Sequence, residues 1–184
     1  NVVVIILESF GQEYVEYGYA PFLTSLQEKG LYFKNAFSNG RKSIDGMPSV
    51  LSSIPMFIEP YFTTHYANNN ISSIANELNK QGYHSAFFHG APNGSMGFQA
   101  FAKATGWKEY YGMDEYANNA DFDGMWAIWD EPFMQFFADK LSTFKEPFAA
   151  SIFTASSHHP YKIPKEYEAI YTEEGHPIHK CIRY

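Results

Sequence analysis

An acid, a hydroxyl and two histidines stand where they could do chemistry together. Six aliphatic residues, Val2 to Leu7, stop at Glu8; Ser43 follows Lys42 and precedes Ile44, Val50, Leu51 and Ile54 at helical spacing; "HSAFFHG" ends in His89 and Gly90; "AASIFTAS" runs into His158. An unbroken aliphatic run reads as a strand buried on both faces of a sheet, which could not bury a carboxylate cheaply. Ligands of parallel α/β sheets bind beyond the carboxyl ends of the strands, so Glu8, His89 and His158 fall on one rim. Ser43, at a helix start, meets free N–H groups and a dipole that favour a developing alkoxide. Glu8 could then hold a hard or borderline divalent cation that lowers the pKa of the Ser43 hydroxyl, giving metal-assisted group transfer. Each residue also has an ordinary reading: Glu8 as the first solvated residue after a strand, Ser43 as a plain N-cap, the histidines as loop residues. Their joint placement is what favours a site.

The elements that would position them alternate in kind. "NVVVIILE" predicts a first strand, "APFLTSLQEKG" a helix stopped at Gly30, and "LYFKNAFS" a second strand. "ISSIANELNKQGYHSAFFHG" predicts a helix ending near Gly82 and then a strand; a helix from about Pro132, with Asp130 as its N-cap, precedes the strand "FAASIFTAS". Aliphatic runs alternating with helix-period segments indicate an α/β fold, a mostly parallel sheet flanked by helices on both faces. At 184 residues and 45% hydrophobic content, one globular core is the expectation, with no linker or repeat to divide it.

Composition excludes several classes. A formal charge of −7 without a basic stripe argues against nucleic acid as a partner. Cys181 is the single cysteine, so there is no disulfide framework or cysteine-based zinc site, and its thiol reads as inert. No apolar stretch approaches the ~20 residues needed to cross a bilayer, which predicts a soluble segment. Two further patterns are weaker. "NADFDGMWAIWD" sets Asn119, Asp121, Asp123, Gly124 and Asp130 at the spacing of a calcium loop, but Asp130 stands where a bidentate Glu is usual and the flanks do not pair as helices. His176 and His179 in "HPIH" have metal-like spacing without a helix around Pro177, and read as a surface turn.

Four ordered stretches, "NVVVIILESF", "APFLTSLQEKGLYFKNAFS", "GRKSIDGMPSVLSSIP" and "FTASSHHPY", resemble the sulfatase-like branch of the alkaline phosphatase superfamily, and within it the lipoteichoic acid synthases and related phosphoglycerol transferases. The resemblance covers nearly the whole chain. It implies that Glu8 is a metal ligand, that Ser43 in "RKSIDG" is the nucleophile and shares the metal, and that His89, His158 and Lys42 face the substrate. The ion implied is Mn²⁺ or Zn²⁺ first, with Ca²⁺ or Mg²⁺ as further candidates. The relatives' Asp-His pair completing the metal site lies on a later strand, so the 184 residues are expected to be the N-terminal part of a larger catalytic domain, inactive alone. The parent is expected to be membrane-anchored and to act outside the cytoplasmic membrane on lipid-linked or small phosphate or sulfate ester substrates.

Two departures shape the expected function. The synthases carry a Trp and an Arg shortly after the His-Gly pair, where "APNGSMGFQAF" has Met96 and Phe98, which points to a substrate other than plain glycerol phosphate chains. Sulfatases that convert Cys or Ser to formylglycine need Pro and Arg downstream, whereas Ser43 is followed by Ile44, Asp45, Gly46 and Met47. A phosphoryl or phosphoglycerol transferase or phosphodiesterase is therefore expected, with a sulfuric ester hydrolase as the alternative and a non-catalytic binding domain as the third reading.

Overall fold

The computed structural model describes residues 1–184. Four parallel strands form one sheet in the order β1 (Val2–Ile6), β4 (Phe148–Phe153), β2 (His84–His89), β3 (Glu109–Tyr111). The helices are α1 (Gln12–Glu16), α2 (Pro21–Gln27), α3 (Ser43–Ser52), α4 (Ile74–Asn79), α5 (Phe98–Ala104), α6 (Met113–Tyr116), α7 (Asp130–Thr143) and α8 (Ile178–Arg183).

Register decides what meets at the rim. Ile6 pairs with Phe153, and Phe153 with His89, so three strands end at one level. β4 is central and every residue of it is buried. Its Ala149, Ala150 and Ser151 leave room for neighbours above and below, the condition under which a continuous apolar run is stable in a parallel sheet. Alternation across the pleat sorts the aromatic residues of β2: Phe87 joins Met47 and Leu51 of α3, Ala75 of α4 and Phe98 and Phe101 of α5 on one face. Phe88 joins Phe133 and Phe137 of α7 on the other, with Ala150 and Ile152 of β4. Phe133 and Phe137 are one helical turn apart and so share the sheet-facing stripe of α7. Helices thus cover both faces.

The first strand departs from expectation. β1 is an edge strand: Val4 and Ile6 pack into the core under α3, but Val3 is 44% and Ile5 52% exposed, because α7 spans only β2 and β4. "LYFKNAFS" does not form a strand at all. Its alternation is real, but no neighbouring strand offers a hydrogen-bond ladder, and Phe37 remains 89% exposed. His176 and Pro177 form an exposed bend and turn as expected, and the chain enters α8 directly after them, so that His179 is helical. Pro fits such a position because its missing N–H would have no helical partner there.

Candidate functional site

Beyond the ends of β1, β2 and β4 lies one cleft lined by Glu8, Ser43, His89, Ala91, Ser95, Met96, Phe98, Trp126, Thr154, Ala155 and His158. Four of the five residues singled out in the sequence meet there. Lys42 does not: it is exposed, outside the lining, and serves as the boundary residue of α3 without a side-chain cap bond.

Glu8 is held from three directions. Its N–H donates to Thr154 Oγ1 at 2.9 Å, its carbonyl accepts from Ser157 Oγ, and its Oε1 accepts from Ser9 Oγ at 2.8 Å. Ser9 takes a left-handed φ of 51° to turn the chain off β1, a conformation that costs about 1 kcal/mol or more for a residue with a side chain and persists only where surroundings enforce it. Thr154 and Ser157 follow the central strand directly. They hold the backbone of Glu8, leaving its second oxygen for the cleft.

That oxygen meets the hydroxyl. Ser43 Oγ donates to Glu8 Oε2 at 2.6 Å. Ser43 is the first residue of α3, not its N-cap, so its side chain is turned to the acid instead of closing its own helix. The preceding chain must fold tightly to deliver it: Gly40 has φ 131°, and a Cβ there would stand 2.5 Å from Asp45 Cβ. At the head of a ten-residue helix, Ser43 sits in the positive end of the dipole.

His89 ends β2 and is buried. Its Nδ1 lies 2.9 Å from the Phe153 carbonyl, which can only accept, so Nδ1 carries the proton and Nε2 is the free nitrogen of the neutral ring. Burial pushes its pKa below the ordinary value, against the opposing pull of that carbonyl and of Glu8. Phe98, near the positions where the sequence resemblance puts a tryptophan and an arginine, packs tilted against it at 4.8 Å between ring centroids and deepens that burial. His89 is thus a neutral acceptor at neutral pH and not one of the site's cations. Gly90, next in line, lets the chain pass α7: a Cβ would lie 3.2 Å from the Phe133 ring.

His158 lies on the loop after β4, its Nδ1 3.0 Å from the His159 carbonyl and its ring 4.3 Å from Trp126. Asp130 anchors this loop. Its two carboxylate oxygens accept the N–H groups of Ala155 and Ser156 at 2.8 and 2.9 Å, while its own N–H donates to Ser156 Oγ. Burial raises the Asp130 pKa to about 6, the backbone bonds pulling the other way and the Glu8 charge adding to the rise. Asp130 is the first residue of α7, with Trp129 as the boundary residue before it.

The calcium-loop spacing does not assemble. Asp123 Oδ1 accepts the N–H groups of Met125, Trp126 and Ala127, Asp121 bonds Tyr116 and Asn118, and Asp130 faces the 155–156 backbone. Asp121 and Asp123 are spent on their own turns and Asp130 on the loop after β4. His179 packs on the rings of Tyr14, Tyr17 and Tyr19, while His176 meets Tyr161 edge to face. Cys181 is buried, which pushes its thiol up to about 11 and fits an inert role.

The chain brings two oxygen donors, Glu8 Oε2 and Ser43 Oγ, within 2.6 Å of each other, and nowhere gathers three metal-ligating side chains. Divalent cations take four to eight ligands, so the pair fits as part of a coordination shell and not as a closed cage.

With this geometry in view, comparison with known proteins gives the class. The sequence model of the sulfatase family matches residues 1–180, and the chain belongs to that family. It is 26% identical over 177 residues to lipoteichoic acid synthase 1 of Bacillus subtilis (strain 168), covering 90% of this chain and 28% of that protein. Its fold superposes on a crystal structure of a protein in the alkaline phosphatase superfamily from Vibrio parahaemolyticus with a TM-score of 0.85 and 24% identity, over all of this chain and 47% of that one. It also superposes on the C-terminal periplasmic domain of EcEptC from Escherichia coli, crystallised in complex with Zn, at a TM-score of 0.67 and 15% identity, over all of this chain and 55% of that one. The chain therefore spans under a third of the curated relative and about half of the solved structures.

Proposed function

We propose that this chain carries the nucleophile and one metal ligand of a metal-dependent phosphoryl or phosphoglycerol transferase or phosphodiesterase. The observation that carries the reading is the 2.6 Å bond from Ser43 Oγ to Glu8 Oε2 at the head of α3. Glu8 and Ser43 would hold the cation, Mn²⁺ by the all-oxygen donor pair or Zn²⁺ by the zinc-bound neighbour. A bound cation supplies charge neutralisation of the serine oxygen and of the phosphoryl group.

The remaining work belongs to the chain. Ser43 Oγ, its proton released to solvent, attacks phosphorus, forming a serine O–P bond as the bond to the leaving alcohol breaks; the helix N-terminus favours the Ser43 oxyanion that attacks. His158, with Nδ1 directed at the His159 carbonyl, presents Nε2 to the transferred group, where its protonated form donates to a phosphoryl oxygen or to the departing alkoxide. His89 Nε2 accepts a hydrogen bond from the substrate alcohol. Water or an acceptor alcohol then attacks the phosphoserine and restores the hydroxyl. Phosphorus is preferred to sulfur because the residues after Ser43 lack the Pro and Arg that accompany formylglycine. The substrate differs from plain glycerol phosphate chains and is lipid-linked or a small ester, handled by the full-length protein outside the cytoplasmic membrane; no helix of this chain is long and apolar enough to cross one.

In the full-length protein, Ser43→Ala should lower turnover of a p-nitrophenyl phosphodiester by about 10³-fold or more while leaving the far-UV spectrum and the melting transition unchanged. Turnover within tenfold of wild type would sink the assignment, and hydrolysis of the aryl sulfate alone would move it to sulfur.

A further inference from the structure

The loop that leaves β4 is held from two sides. Of its residues Thr154 to Ser157, the outer two bond Glu8: Thr154 Oγ1 accepts the Glu8 N–H at 2.9 Å, and Ser157 Oγ donates to the Glu8 carbonyl. The inner two bond Asp130. Its Oδ1 accepts from Ala155 N–H at 2.8 Å, its Oδ2 from Ser156 N–H at 2.9 Å, and its own N–H donates to Ser156 Oγ at 2.8 Å. Thr154, Ala155, Ser156 and Ser157 are all buried, so a bond lost among them would strand a polar group away from water.

The part played by Asp130 suits a carboxylate. Two consecutive amides need two acceptors on one planar group; an Asn at this position would set its NH₂ against one of the N–H donors. Bonds from neutral donors to an ionised acceptor are also the stronger kind. The loop is fastened further by Thr154 N–H to the Ile6 carbonyl and by His158 N–H to the Ala155 carbonyl, each at 3.0 Å. Glu8 and His158 thus take their places from one short piece of chain, and the middle of that piece is fixed to the start of α7. Asp130 is absent from the lining of the cleft, so what it does for the reaction it does through that piece.

Resting on the phosphoryl-transfer reading above, we infer that Asp130 is a positioning residue of the reaction. By clamping Ala155 and Ser156 it holds Thr154, Ser157 and His158 in the arrangement that keeps the Glu8 carboxylate against Ser43 and His158 at the transferred group. A displacement of about 1 Å costs bond-making far more than it costs the binding of a small ester, so the effect of this clamp falls on kcat and not on KM.

The test uses the full-length protein and methyl p-nitrophenyl phosphate, with Phe137→Leu as the comparison. Phe137 also belongs to α7 but packs on Phe88 in the core and lies outside the lining of the cleft. Asp130→Asn should lower kcat about 30-fold with KM within about threefold, and should speed amide exchange at Glu8 and at residues 154–158 about tenfold. Phe137→Leu, which lowers the melting temperature by leaving a cavity, should keep kcat and those exchange rates within about threefold of wild type. Ser156→Ala is a milder cut of the same clamp, and it should lower kcat about fivefold with KM unchanged. Thr154→Val breaks the other bond between the loop and Glu8, so combining it with Asp130→Asn should cost less than the product of the two single losses. Wild-type kcat in Asp130→Asn, or in Ser156→Ala should the former fail to fold, would overturn the inference. So would a loss confined to KM, strictly multiplicative losses in the double variant, or an equal fall in kcat in Phe137→Leu, which would reduce Asp130 to general stability. Persistent turnover in Ser43→Ala would fell the transfer reading instead, while the exchange rates would still decide whether Asp130 holds Glu8.

Discussion

On one side of the cleft every functional atom is tied to a hydrogen bond: Ser43 to Glu8, Glu8 to Thr154, Ser157 and Ser9, and the 155–156 backbone to Asp130. On the other side Met96, Phe98 and Trp126 meet the cleft with carbon and sulfur. The polar side is built from residues that follow strand ends or begin helices, so its geometry is inherited from the register of the sheet. On the apolar side Phe98 begins α5, while Met96 and Trp126 ride on connecting segments fastened to that frame. Bond-making chemistry, which tolerates little displacement, occupies the inherited positions. Binding residues are commonly carried on loops held by a rigid scaffold, and Met96 and Trp126 sit on such segments.

The comparison can be broken first at the acid. Glu8→Gln keeps the bond from Ser43 but removes the charge that attracts a cation. Divalent affinity, titrated by calorimetry in the full-length protein, should fall about 100-fold, and phosphodiesterase activity with it at limiting metal. Unchanged affinity would remove Glu8 from the metal. At the boundary between the two walls, His89→Phe should cost about tenfold in kcat/KM, through loss of one acceptor for a substrate hydroxyl. Because burial lowers the His89 pKa, wild-type activity should show no basic limb from this ring near neutrality; a His89-dependent limb above pH 7 in the rate profile would contradict the neutral assignment.

A further effect, on folding and not on the chemistry of the cleft, concerns stability and pH. Asp130 titrates near 6 in the fold against an ordinary 3.8, so between those values the folded chain binds more protons than the unfolded one and stability falls as pH rises. The stabilisation from its protonated form is complete below about pH 4 and gone above about pH 6, amounting to at most about 3 kcal/mol. Asp130→Asn should flatten that slope in urea titrations run with chelator present. A slope identical to wild type would show that Asp130 is charged at no cost in the fold.

Much of the polar wall was legible in the sequence. Glu8, His89 and His158 could be placed because an apolar run ending in a polar residue marks a strand end, and parallel strands put those ends together. Thr154 and Ser157 lay in a stretch already quoted, but a hydroxyl's partner is a three-dimensional fact that spacing does not carry. Trp126 was hidden by a better-known pattern: Asp121, Asp123 and Asp130 matched a calcium template, while in the fold each acid satisfies backbone amides or side chains nearby. "LYFKNAFS" was misread because alternation records which side chains could share a face and not whether a partner strand exists. The first strand was overread for the same reason, since an aliphatic run does not say how far the covering helix extends. Lys42 was expected at the substrate from the family resemblance; it is exposed and outside the lining of the cleft.

The edge position of β1 bears on handling the protein. Its outer backbone groups are unpaired by any strand of this chain, and Val3 and Ile5 stand out beside them, 44% and 52% exposed. A straight apolar edge without charge, proline or bulge is a template on which another strand can add. At high concentration these 184 residues should associate edge to edge, and Ile5→Lys should keep them in solution.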